Sequence, residues 1–315
     1  MSQVFCASLD DLAVLELQGG QPDKLLQGQI TADMKLVTPE QALPGLLCSL
    51  KGRVISSFEV VAFTEDHLAL ILPADNLEAV QNHLKKYEPF FKTRLVETTD
   101  QYQLLGLSGK ETPALLASLL GAWPKTNYRQ AVTDQGLILH LPGPQARGLV
   151  LLKRDHEDFT ATLDKINHLT ETVPLDCWRM LDIQVGRAQV NATLTDQYLP
   201  QMLNYQALGA VSFKKGCYPG QEVVARMHYR GTPKRRTARY RVAGACPVPG
   251  SELHRDDKEA AAGQVVNSAP LPDGDSEVLA VVMTEVLDGR VGVRTPEGHT
   301  LTPLALPYTL DDPEA

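Results

Sequence analysis

The residues best suited to chemistry lie in one run, KKGCYPGQE, at positions 214–222. Cys217 has Gly216 beside it, Gly220 three residues on, and Lys214 and Lys215 just upstream. Pro219 and Gly220 predict a turn into a helix beginning near Gln221, with Glu222 in its first turn. A thiol just ahead of a helix start and beside two lysines is expected to ionise readily. A thiolate can act as a nucleophile, a metal ligand or a redox sensor. The other reading is a small hydrophobe filling a gap, the ordinary role of a lone cysteine. With no histidine close by in sequence, the run does not by itself identify a reaction.

Three other segments carry unusual chemistry. Trp178, one of two tryptophans, shares a helix face with Leu175, Leu181, Asp182 and Val185. It is either a core anchor or a flat stacking surface for an aromatic ligand such as a pterin. LQGQITADM (26–34) crowds Gln27, Gln29, Thr31 and Asp33 around Gly28. Such groups need hydrogen-bond partners, found either in their own backbone or in a polar ligand. From Lys214 to Arg241 there are nine Lys or Arg and one Glu, a local +8, which leaves −16 on the rest of a chain of net charge −8. That asymmetry points to an anionic partner or to a solvated basic surface. Lys214, Lys215, Arg226 and Arg230 are the candidate anion-binding residues. RMHYRGTPKRRTARYR (226–241) mixes arginines with His228, Tyr229 and Tyr240, which suits phosphate contact and base stacking, but no nucleic-acid module is recognisable.

These segments must be positioned by a chain of 315 residues, 43% hydrophobic and 22% charged. That is ordinary globular composition, long enough for two or three domains. Five scattered cysteines with no CxxC pair argue against a disulfide framework and a self-contained zinc site, so a reducing, cytoplasmic setting is expected. No apolar run reaches the ~18 residues of a membrane span, and the start shows no signal-peptide pattern. DLAVLELQ (11–18), VISSFEVVAF and HLALILP read as strands. PDKLLQGQIT (22–31) reads as a short helix. DNLEAVQNHLKKY reads as a helix capped by Asp75, with Leu77, Val80, Leu84 and Tyr87 on one face. SGKETPALLASLLG, DHEDFTATLDKINHL (155–169) and PLDCWRMLDIQVG (174–186) read as further helices. After about residue 231 short strands separated by Gly, Pro and Asp predict a small β-barrel. The acidic tail LDDPEA is expected to be loose. The first 230 residues mix hairpins and helices, hence α+β.

LQGQITAD, KGRVISSF, LKKY, LPQMLNYQALGAVSFKKGCYPGQEVVAR and LPYTL occur in this order. Together they resemble the YgfZ family of folate-binding, tRNA-modifying proteins, over about residues 10–310. The resemblance implies a three-domain fold like that of the glycine-cleavage T-protein, an aminomethyltransferase, around a folate-binding hole. The expected divisions are 1–98, 99–230 and a C-terminal β-barrel at 231–315. It implies a role in assembly or repair of iron–sulfur enzymes, with indirect effects on tRNA modification. It makes Cys217 the functional or catalytic residue, a transient metal ligand at most, and Trp178 part of the folate site. The expected cofactor is tetrahydrofolate or a derivative, with or without a polyglutamate tail, and no tightly bound metal. Folate and iron–sulfur client enzymes are the expected partners, with tRNA an indirect one and no membrane. A one-carbon transferase and a direct tRNA-binding protein are the alternatives. Three positions depart from the pattern. A second family tryptophan falls at Leu12. A glutamate of related folate sites falls at Gln184, where an amide offers one acceptor group and one donor group in place of a carboxylate. T-proteins carry an aspartate where this chain has Cys217, which turns the expectation from aminomethyl transfer toward thiol or metal chemistry.

Overall fold

The computed structural model describes residues 4–257, 260–287 and 289–310. Two antiparallel sheets form the centre of the molecule. The first has the strand order Leu43–Cys48, Val54–Thr64, His67–Pro73, Leu12–Gln18, Arg94–Glu97. The second runs Glu171–Thr172, Val4–Ser8, Tyr102–Gly109, Arg147–Lys153, Gly136–Leu141, Gln130–Thr133, with only the Glu171–Thr172 pairing parallel. Alternation along each strand sends residues to two different cores. Leu12, Val14, Val61 and Ile71 meet Leu104, Leu139 and Leu149 between the sheets. Leu15, Leu17, Phe58 and Val60 face outward onto Leu25, Val80 and Leu84 of the covering helices. Helices Thr112–Leu120 and Phe159–Leu169 cover the second sheet in the same way.

The last third forms a closed six-stranded barrel in the order Arg235–Val242, Ser276–Met283, Ala261–Pro270, Glu252–Arg255, Val293–Arg294, Thr300–Leu304. Its interior is built from Tyr240, Val242, Leu253, Val265, Val278 and Ala280. Between barrel and sheets lies the irregular segment that follows helix Leu175–Gln184, and Ala188, Tyr198, Leu203 and Tyr205 share a core with Val54, Leu279 and Val281. A strap from the barrel closes over the end of that helix. Tyr308 donates its hydroxyl to the carbonyl of Gly186 (2.8 Å), whose φ of 69° and contact with the Tyr308 ring exclude a side chain.

The α+β architecture, the barrel and the Leu77–Tyr87 face all agree with expectation. Three details differ. Val4–Ser8 joins the second sheet, so that sheet draws on both sides of the 98/99 division. Asp75 does not cap helix Leu77–Lys85; its carboxylate accepts the Ala192 N–H instead (3.2 Å), tying the helix to the irregular segment. Helix Phe159–Leu169 starts four residues later than the sequence pattern suggests. Of the acidic tail, residues 311–315 lie outside the described residues.

Alternation also places Glu16 on the sheet-to-sheet face with Leu12 and Val14. A buried carboxylate there requires donors. It receives Gln18 (2.6 Å), His67 (2.7 Å), Thr98 (2.9 Å) and Tyr102 (2.8 Å). Burial opposes its ionisation, yet the donors, His67 foremost, bring its pKa down from the usual 4.5 to about 2. A depressed carboxylate stabilises the fold above its unfolded pKa and loses that contribution as pH falls through the folded one. Wild type is therefore expected to lose about 2 kcal/mol between pH 4.5 and 2 through this group. In Glu16→Gln that acid-dependent component should vanish and stability at pH 7 should fall by about 2 kcal/mol. Denaturant titrations of both proteins across pH check this; equal pH profiles would remove Glu16 from the account.

Candidate functional site

Trp178 lies at the junction of the two sheets, 4% exposed. The indole fits because Gly106 has no side chain; a Cβ there would meet its Cε3 at 2.4 Å. The Arg147 guanidinium covers a ring face at 3.8 Å from the centroid. That face is therefore not open for ligand stacking, and Trp178 is first a core anchor. It also borders a cleft with Leu12, Ser57, Glu59, Asp182, Arg187 and Tyr205. The residue that replaces the family's second tryptophan thus shares a wall with Trp178.

A chain of alternating charges runs under this wall. Arg147, fully buried, donates to Asp182 Oδ1 (2.7 Å) and to the Trp178 carbonyl (3.3 Å). Arg187 donates to the same Asp182 oxygen (2.8 Å) and also pairs with Glu59 Oε1. Burial pushes the Asp182 carboxyl up, against the pull of Arg147. Burial also pushes the Arg187 guanidinium down. The deep end of the cleft holds about 30 Å³ of water-sized room, and an outer space of about 430 Å³ adjoins it. Asp11, Pro73, Arg179, Asp182 and Gln189 border both. The outer space reaches the barrel at Asn267, Ser268 and Cys246. Gln184 borders neither; it faces a separate hollow with Val4, Phe5, Glu171 and Leu181. Its position six residues after Trp178 puts the two on different faces of the helix.

Cys217 also borders neither space. It is exposed, whereas its neighbour Tyr218 is buried and anchors the loop. Helix Gln221–Arg230 starts where the sequence places it, behind Gly220 with φ 80°. Gly220 is packed backbone to backbone. A Cβ there would meet Ser49 O at 2.3 Å and Gly52 Cα at 2.6 Å, and Gly52 in turn lies against Val223. The KGRVISSF and KKGCYPGQE segments are thus two halves of one platform. Its Ser49–Val54 half is braced by Ser49 Oγ donating to Asp196 (2.6 Å) and by paired backbone bonds between Val54 and residues 196 and 198 (both 2.8 Å). A Cβ at Gly216, by contrast, would meet nothing within 4 Å, and its φ is not positive, so the position simply leaves the approach to Cys217 open.

Lys215 turns away from the solvent side. Its ammonium donates to the carbonyls of Ile30 (2.7 Å) and Ala32 (2.6 Å), and burial pushes its pKa down to about 8. It joins the LQGQITADM loop to the cysteine loop, and so does Thr31, which donates to Ala210 O (2.6 Å) and accepts from Leu46 N–H (3.0 Å). Gln27 bonds Asp33 (3.0 Å) and the Met34 N–H (2.7 Å). The polar loop therefore satisfies itself and its neighbour, in place of a ligand. The +8 stretch is also smaller in space than in sequence. Arg239 pairs with Glu277, and Arg241 with Asp273 and Asp275. Lys214, Arg226 and Arg230 are exposed, and with Lys215 they lie in the cysteine loop and the helix behind it, lining neither cleft nor outer space. Phe213 stacks on His228 (3.7 Å between ring centroids) beside the exposed Tyr229.

Sequence reasoning did not find Glu59, Arg187 or Cys246. A lone carboxylate in the middle of the apolar strand Val54–Thr64 was the available signal for Glu59. Cys6 and Cys48 are buried, and burial raises their pKa to about 11 and about 12, whereas Cys177 and Cys246 are exposed and do not pack in a core. Among the described residues no three His, Cys, Asp or Glu side chains converge to hold a metal ion, and no helix is long and apolar enough to cross a membrane.

No family model matches the chain. The fold is similar to that of the glycine cleavage system aminomethyltransferase T from Bartonella henselae, with a TM-score of 0.77 at 14% identity over 98% of this chain and 87% of that one. The heterotetrameric sarcosine oxidase from Corynebacterium sp. U-96 overlaps 53% of this chain and 85% of its own, at a TM-score of 0.36 and 14% identity. The architecture is thus T-protein-like along nearly the whole chain.

The two glycines flanking Cys217 are expected to respond oppositely to alanine. Gly220→Ala places a Cβ against backbone at positive φ and should cost about 2 kcal/mol or more. Gly216→Ala should stay within about 0.5 kcal/mol of wild type. Thermal unfolding of both variants checks the contrast; equal losses would show that the platform is not rigid at Gly220.

Proposed function

We propose that this protein is a folate-binding accessory factor for the assembly or repair of iron–sulfur enzymes, acting on tRNA modification only indirectly. The observation that carries the reading is the separation of an exposed, rigidly mounted thiol from an interior cleft in a T-protein-like fold. From Val54, at the platform, to Glu59, in the cleft, strand Val54–Thr64 spans about 17 Å. A transferase that moved a one-carbon unit onto Cys217 would need that thiol beside the cofactor. A thiol presented on the surface suits contact with a client's sulfur, metal or cluster instead. A single cysteine cannot complete a four-cysteine cluster site, so Cys217 acts as one shared ligand or as an exchanging thiol.

The cleft suits tetrahydrofolate. The outer space falls within the ~300–1,000 Å³ of small-molecule sites, and the deep end is bordered by Glu59, whose buried Oε2 has no partner among the described residues. Leu12 and Trp178 supply apolar wall, and Asp182 and Gln189 supply polar groups. When bound, tetrahydrofolate carries one-carbon units on its nitrogens. The protein's part is to bind and orient it away from bulk water. The acidic rim, with Asp11, Asp75 and Asp176 around Arg179, is a poor seat for a polyglutamate tail. The exposed Lys214, Arg226 and Arg230 belong with Cys217 and fit an acidic surface on a client.

Two measurements test this. Calorimetric titration with 5-formyltetrahydrofolate should show one site per chain; no binding would overturn the folate reading. In cells lacking the endogenous protein, Cys217→Ser should fail to restore an iron–sulfur tRNA-modifying enzyme although it folds normally. Full complementation would overturn the thiol reading.

A further inference from the structure

We infer that the Glu59–Arg187 pair, and not Gln184, reads the 2-amino-4-oxo edge of a bound pterin ring. The inference rests on the folate reading of the same cleft. Glu59 is 5% exposed and stands on the inner face of strand Val54–Thr64, in the direction of Ser57 and Val61. One carboxylate oxygen is held by Arg187. The other, Oε2, is buried and has no hydrogen-bond partner among the described residues. A buried carboxylate oxygen left in this state calls for a donor, because burying a polar group without one is costly.

The size of the deep end limits what that donor can be. About 30 Å³ takes one or two water-sized groups, not a whole ring. An exocyclic amino group with the adjacent ring N–H is of that size, while the body of the ring remains in the 430 Å³ outer space. The pattern of polarity also matches. A 2-amino-4-oxopyrimidine edge presents two donors followed by an acceptor. Glu59 supplies acceptors, and Arg187 beside it supplies donors. Arg187 keeps a second carboxylate, Asp182 at 2.8 Å, so it can shift from Glu59 toward the ring oxygen without losing its charge partner. Gln184 lies in a different hollow and has no access to this space.

The test is a cycle of two proteins and two ligands. The ligands are 5-formyltetrahydrofolate and its 2-desamino-2-methyl analogue. The proteins are wild type and Glu59→Gln, whose unfolding temperature is checked first. Wild type should bind the parent about tenfold or more tighter than the analogue, as expected for a hydrogen bond to a charged group. Glu59→Gln should weaken the parent by a similar factor and should distinguish the two ligands by less than about threefold. Gln184→Glu should leave parent affinity unchanged. If Glu59→Gln binds the parent as wild type does, or penalises the analogue as strongly as wild type does, the assignment of Glu59 is wrong while the folate reading stands. If wild type binds neither ligand, the folate reading falls and this assignment with it.

Discussion

Everything around the cleft depends on one buried chain of charges, Arg147–Asp182–Arg187–Glu59. Its four members come from four places: the second sheet, the Trp178 helix, the turn after it, and the first sheet. Buried ion pairs rarely add much net stability over well-packed apolar residues, because desolvation offsets the Coulomb gain. Their effect here is geometric. A charge that must meet its partner fixes the relative placement of two sheets and a helix more narrowly than aliphatic contact does. The gap beneath Trp178 is a by-product of that order: charged side chains held in fixed directions leave space that methyl groups would fill.

The same constraint explains why the cleft and the Cys217 loop remain apart. Strand Val54–Thr64 begins at the turn that supports the Cys217 loop and continues into the cleft wall. It is hydrogen-bonded on both sides within the first sheet and faces a core on each surface. Bulges at Ile55 and Phe63 bend the strand near its two ends, while pairing on both sides holds it in place. The thiol and the cleft are therefore joined through one strand and lie apart in space.

Much of the architecture was legible in the sequence, since alternation, helix periodicity and glycine stops are local signals. The barrel, the paired strands and the start of helix Gln221–Arg230 all have such signals. What was hidden depends on distant partners. Val4–Ser8 is a short strand whose neighbours, Tyr102–Gly109 and Glu171–Thr172, lie far downstream, and nothing in its own five residues says which sheet receives it. The basic stretch looked like a large patch because sequence adjacency omits Glu277, Asp273 and Asp275, which neutralise Arg239 and Arg241 from the neighbouring strand and the turn before it. Lys215 looked like an activator of Cys217 and is instead a clamp on Ile30 and Ala32. Asp182 was seen as part of a helix face, but its two arginines were not, and Glu59 acquires meaning only once Arg187 is seen beside it.

The strap that sets Tyr308 on Gly186 also imposes an order on biosynthesis. The two residues are 122 positions apart. At ordinary translation speeds of ~5–20 residues per second, the end of the Trp178 helix is made roughly 6 to 24 s before the tyrosine that covers it. During that interval both sheets can assemble, while the turn after the helix stays uncovered, with the Gly186 carbonyl open to water. The strap follows the last barrel strand, Thr300–Leu304, in the chain. The interior of this protein is therefore finished from the outside, well after the helix it covers has been made.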